Sequence, residues 1–137
     1  MRDAETIWNL LHDGTIVGID TVGRTLVCHI EVSYLRSFFT PPGTGFEIHL
    51  SECTFHGSEA WAGGPIEHDP HTLAALQPEI LSAQALDHGV VAVTWDGGVF
   101  RLSYSGVTLR LDSGAPIPLE ALKAAATTYW DRFSRNA

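Results

Sequence analysis

The feature that most constrains this chain is a strict two-residue alternation running from Leu26 to Tyr34. Leu26, Cys28, Ile30, Val32 and Tyr34 take one parity, while Val27, His29, Glu31 and Ser33 take the other. Successive side chains of an extended strand point to opposite faces, so the pattern predicts an antiparallel strand with one buried and one wet face. The period returns at once after the breaker-rich loop Thr40-Pro41-Pro42-Gly43-Thr44-Gly45, where Phe46, Ile48 and Leu50 alternate with Glu47, His49 and Ser51. Turn signals at Gly23-Arg24, His88-Gly89, Asp96-Gly97-Gly98, Ser105-Gly106 and Asp112-Ser113-Gly114 separate further short runs. A chain punctuated this way builds its core on sheet.

Those runs predict strands over Thr15–Val22, Ile80–Leu86, Val90–Trp95, Val99–Tyr104 and Val107–Leu111, the last three forming a meander. After Leu50 the parity slips, because Cys53 and Phe55 are the next inward residues; a β-bulge near Ser51–Glu52 restores it. Gly57–Pro78 is the least regular stretch, with a short helix expected over Thr72–Gln77 started by Asp69 or His71. Helices are expected at both ends. Asp3–His12 carries Ile7, Leu10 and Leu11 on one stripe flanked by Trp8, with Asp3 as N-cap and Asp13-Gly14 as a left-handed stop. The second begins at Pro118, which suits a first helical position, and repeats Leu119, Leu122, Ala126, Tyr129, Trp130 and Phe133 at helical steps. The expectation is a single α+β domain over residues 1–137. It comprises an antiparallel sheet of about six to eight strands with N-terminal and C-terminal helices packed on it.

Composition agrees with one globular domain: 137 residues, 45% hydrophobic and 18% charged, exclude wholesale disorder. No apolar run approaches the roughly 18 residues of a membrane span, and no basic-then-apolar leader opens the chain, so a soluble cytoplasmic protein is expected. The two cysteines, Cys28 and Cys53, are too few for a disulfide framework. Charge is distributed unevenly. The net value is −8, and nothing basic lies between Arg36 and Arg101, whereas that interval holds Glu47, Glu52, Glu59, Glu67, Asp69, Glu79, Asp87 and Asp96. Nucleic-acid binding needs a cationic surface to release counterions from phosphates, so the acidic middle argues against it. A basic protein partner or a cation is its natural complement.

Three groups of residues offer chemistry. His49, Cys53 and His56 follow an H-x3-C-x2-H spacing, with His68 and His71 a loop away, and their side chains are types that zinc accepts. That makes a metal-binding protein or metal-dependent enzyme the alternative reading, although Cys53 also reads as a small buried residue. Catalysis without metal has little to stand on. His12-Asp13, His68-Asp69 and Asp87-His88 are sequence neighbours that extended backbone would point apart, and no nucleophile elbow or phosphate-binding loop is present. The third group is a binding surface. Trp61 sits among Glu59, Glu67 and Asp69 in a glycine-rich stretch, and a large aromatic ringed by acids suits capture of a basic partner. Phe38-Phe39 form a second such patch, and homo-oligomerisation through a sheet edge is open as well.

Leu11-His12-Asp13-Gly14, Phe46-Glu47-Ile48-His49-Leu50 with Cys53, and Tyr129-Trp130-Asp131-Arg132-Phe133 together resemble small bacterial α+β domains of immunity-protein-like size and acidity. The resemblance covers most of the chain. It implies a bacterial origin and a fold style, and carries no catalytic residue with it. A non-enzymatic, immunity-like binding domain is therefore the favoured expectation, because many toxins are basic nucleases that an acidic face would meet.

Overall fold

The computed structural model describes residues 4–136; Asp3 lies outside them, and the first helix is shorter than the expected Asp3–His12, running over Thr6–Leu10 with Glu5 in the cap position and no side-chain cap bond. In chain order the elements are α1 (Thr6–Leu10), β1 (Thr15–Val22), β2 (Thr25–Glu31), α2 (Ser33–Arg36), β3 (Gly45–Ser51), β4 (Thr54–Ala60) and α3 (Pro70–Ala75). There follow β5 (Ile80–Ala85), β6 (Val90–Trp95), β7 (Gly98–Ser103), β8 (Gly106–Leu111), β9 (Pro116–Ile117) and α4 (Leu119–Asn136). The fold is α+β, and its nine described strands divide between two antiparallel sheets ordered β1-β2-β3-β8-β9 and β4-β7-β6-β5.

The alternation at Leu26 holds except at Val27, which is itself buried. Leu26, Cys28 and Ile30 are buried opposite Leu50, Ile48 and Phe46, while His29 and Glu47 sit paired on the outer face. The strand ends earlier than its pattern suggests, because Tyr34 belongs to the single helical turn of α2. Leu109 and Leu111 continue this inner face, and Val91, Val93, Trp95, Phe100 and Leu102 of the second sheet join it in one apolar cluster. Trp8 is fully buried, edge-on to Phe100 at 5.7 Å, and donates its indole N–H to the Tyr104 hydroxyl.

Two expected features are corrected. No bulge rescues the parity at Ser51–Glu52; β3 ends at Ser51, and Glu52 turns at φ 49° to carry the chain into the other sheet. The bulge lies further on, where the β4–β7 register shifts between Phe55 and Gly57. The meander is β5-β6-β7 with its Asp96-Gly97 hairpin, because β8 leaves that sheet and pairs with β3. The Ser105 N–H donates to Ser51 O at 2.9 Å at this crossing.

At the end of α1 it is Asp13, at φ 69°, that takes the left-handed conformation. Gly14 is needed for closeness instead, since a Cβ there would meet Val32 Cγ2 at 2.5 Å and Leu11 O at 2.8 Å. In α4, Leu122, Ala125 and Ala126 are buried, while Trp130 is half-buried and Phe133 exposed. Their rings extend a cluster with Tyr34, Tyr129 and His12, which stacks on Trp130 at 5.3 Å.

Candidate functional site

The acidic residues singled out in the sequence gather along one side of β4. This strand is an edge of its sheet, and its inner neighbour is β7. The backbone N–H and C=O of Ser58 point away from β7 and exchange two hydrogen bonds with Glu67, at 2.8 and 2.9 Å. The segment from 61 to 69 thus folds back along the strand, and all nine of its residues are exposed. Trp61 is 63% exposed at the end of β4, so it does not close over the sheet. Ile66, also exposed, lies over Gly57. That glycine has φ 124°, and a Cβ on it would meet Ile66 Cγ2 at 2.6 Å, so both its backbone angle and its surroundings demand glycine.

Each acid of this edge already has a partner. Glu59 pairs with Arg101 of β7 at 3.1 Å. The Glu67 carboxylate accepts the Asp69 N–H at 3.1 Å. Asp69 in turn caps α3, accepting the His71 N–H at 2.9 Å with Pro70 in the first helical turn. The short helix therefore begins two residues before the expected Thr72, because an Asp-Pro pair satisfies the cap and the first helical φ together. Trp61 and Ile66 are thus exposed on the same folded-back segment as Glu67 and Asp69, with Glu59 on the strand before it.

The five proposed zinc ligands are not brought together. His49 lies on the outer face of the five-stranded sheet with Nε2 3.0 Å from Glu47 Oε1. His56 is on the other sheet, with Nε2 3.0 Å from Ser103 Oγ. Cys53 sits in the connection between them, and burial pushes its thiol up to about 11, so it stands protonated at neutral pH. His68 and His71 are exposed, in the folded-back segment and in α3. Among the described residues no group of three or more His, Cys, Asp or Glu side chains is arranged to hold a metal ion. Sequence spacing suggested convergence because it cannot show that β3 and β4 belong to different sheets.

Other features escaped the sequence reading. A row of polar side chains crosses three strands on the outer face. His29 Nε2 is 2.8 Å from Asp20 Oδ2, and His29 Nδ1 is 4.0 Å from the Glu47 carboxylate, which also meets His49. The alternation placed His29 and Glu47 on the wet face, but only the register brings them side by side. Arg36 is fully buried and paired with Asp112 at 2.8 and 2.9 Å. An apolar hollow of about 410 Å³ between β8, β9 and the start of α4 is walled by Val107, Leu109, Ile117 and Leu119, with Ile7 and Thr108 also lining it.

No helix among the described residues is long and apolar enough to cross a membrane. Comparison with protein-family models, with curated proteins and with solved structures finds no match.

Proposed function

We propose that this domain is a non-enzymatic binding module that captures a basic protein partner through Trp61 and the acids Glu59, Glu67 and Asp69. The observation that carries the reading is the exposure of Trp61 at the end of an edge strand, two residues after Glu59 and at the start of the exposed segment that carries Glu67 and Asp69. A solvent-facing tryptophan costs apolar hydration, and interfaces concentrate their binding energy in such aromatic anchors ringed by polar groups. The acids steer a basic protein toward the anchor and raise its rate of encounter. A basic toxin is the partner class that fits both this surface and the likeness to immunity-type domains.

Affinity capture from a lysate of the source organism tests the reading. Wild type is compared with Trp61→Ala and with Glu59→Lys/Glu67→Lys, each first shown to keep its melting temperature. A basic protein retained by wild type, lost from both variants and released by moderate salt is the expected result. A partner held equally by all three places the interface elsewhere.

A further inference from the structure

Resting on that reading, we propose that residues 61–69 form a hinged flap over the free edge of β4, and that the basic partner binds by adding a strand to this edge once the flap lifts. Gly57 and Ser58 are buried although they belong to an edge strand. What covers them is Ile66, above Gly57, and Glu67, bonded to Ser58. The flap engages three backbone groups of β4: the Ser58 N–H and C=O, taken by Glu67, and the Ala60 C=O, which accepts the Gly63 N–H at 3.0 Å. These are groups that an incoming strand would use, since the edge of a sheet is a template for pairing.

The flap is held by these backbone bonds, by that of the Trp61 N–H to Gly97 O at 2.9 Å, and by Ile66 over Gly57. Every residue from 61 to 69 is exposed, so it buries no side chain of its own in the core, and such segments open at low local free-energy cost. Gly63 and Gly64 take φ 89° and 103° with nothing near either Cβ position, which gives the segment a hinge at its tip. The occupant is set by charge: Glu59 flanks the edge on β4 itself and stays there when the flap lifts, so a docked strand's arginine or lysine can join Arg101 on its carboxylate, while Glu67 and Asp69 on the flap add to the acidic field that draws such a strand. Arg101, already on Glu59 at 3.1 Å, shows the geometry a partner's arginine would take up.

Hydrogen exchange and a locked flap test this. In the free protein, the Ser58 and Glu67 amides should exchange at least about a hundredfold faster than the Phe100 amide in the central strand β7. Equal protection overturns the flap. Ser58 and Glu67 form a hydrogen-bonded antiparallel pair, whose Cα spacing of roughly 5.5 Å suits a disulfide. A Ser58→Cys/Glu67→Cys variant can therefore be compared with itself, oxidised and reduced, with an octapeptide of alternating arginine and valine as probe. The reduced form should bind at least about tenfold more tightly than the oxidised form, and the peptide should protect the Ser58 amide in wild type. Equal binding by the two forms overturns strand addition; loss of that binding on Glu59→Lys then leaves the acidic-surface reading standing. No binding by wild type overturns both.

Discussion

Asp69 shows how a residue can serve the surface and the fold at once. Its carboxylate accepts the His71 N–H at the start of α3, one of the donors a helix leaves unsatisfied. Asp69→Ala should cost about 1 kcal/mol of stability, the ordinary worth of an N-cap, and Asp69→Asn should keep most of it. Urea unfolding of the two variants checks this, and Asp69→Asn is the right substitution for removing charge without losing the cap. The role was legible because Asp-Pro is a local signal. Arg36 was not legible, since its partner lies 76 residues away and Asp112-Ser113-Gly114 read only as a turn. Burial of a guanidinium is intelligible only when the carboxylate that compensates it is in view. Gly57 is the second such case. Gly57→Ala should displace Ile66 and speed exchange of the Ser58 amide, while the Phe100 amide keeps its protection.

Among the elements, β5 presents an outer edge next to the exposed Leu81 and Leu86, the kind of edge that invites association. Asn9 of α1 covers it. Its side-chain amide donates to Ala83 O at 3.0 Å and its carbonyl oxygen accepts the Ala83 N–H at 2.8 Å, so one side chain stands in for a neighbouring strand. Asn9→Ala should leave the fold intact and give concentration-dependent self-association, readable by light scattering; a strictly monodisperse variant would show that α1's packing and the backbone bonds of Asp13 and Gly14 to Ile80 protect the edge without it. The C-terminal helix makes a different point. Of its stripe Leu122 and Ala126 are buried, but Leu119, Tyr129 and Trp130 are half-buried and Phe133 is exposed, and the rings around Trp130 are those of His12, Tyr34, Tyr129 and Phe133. Trp130→Ala should therefore cost about 2 kcal/mol, short of the 3–5 kcal/mol of a fully buried large aromatic, as read from thermal unfolding. Periodicity reports which way a side chain points along its own element. How far a neighbour covers it is a property of the partner, and so is the sheet that a strand joins: β7 and β8 look alike in sequence and part company in space.

Over the whole molecule, the interval from Arg36 to Arg101 lacks bases in sequence but not in space. The fold brings Arg101 to Glu59 and Arg24 to Glu52, so part of the acidic middle is compensated from outside it. Charge counting along the chain overstated the isolation of these acids. The same long-range pairing fixes the molecule's behaviour in acid. Asp112 closes the junction of β3, β8 and the Pro41-Pro42 loop, accepting the N–H groups of Thr44 and Gly45 and pairing with Arg36. Desolvation pushes its carboxyl up, but the Thr44 N–H, the Arg36 side chain, the Gly45 N–H and the Arg36 charge together outweigh it and hold the group below its ordinary value. A carboxylate depressed in the folded state contributes stability that is fully present above the unfolded value of about 4 and is lost as pH falls through the folded one. Wild type should accordingly lose melting temperature as pH drops below about 4 by more than Asp112→Asn does. At neutral pH the variant should be the less stable of the two, since it leaves the buried Arg36 without its counter-charge. The difference between them should narrow steadily as acid protonates the wild-type carboxylate. Parallel melting curves across that range would mean that the Arg36–Asp112 pair does not couple the loop to the sheet, and that acid acts through the exposed carboxylates instead.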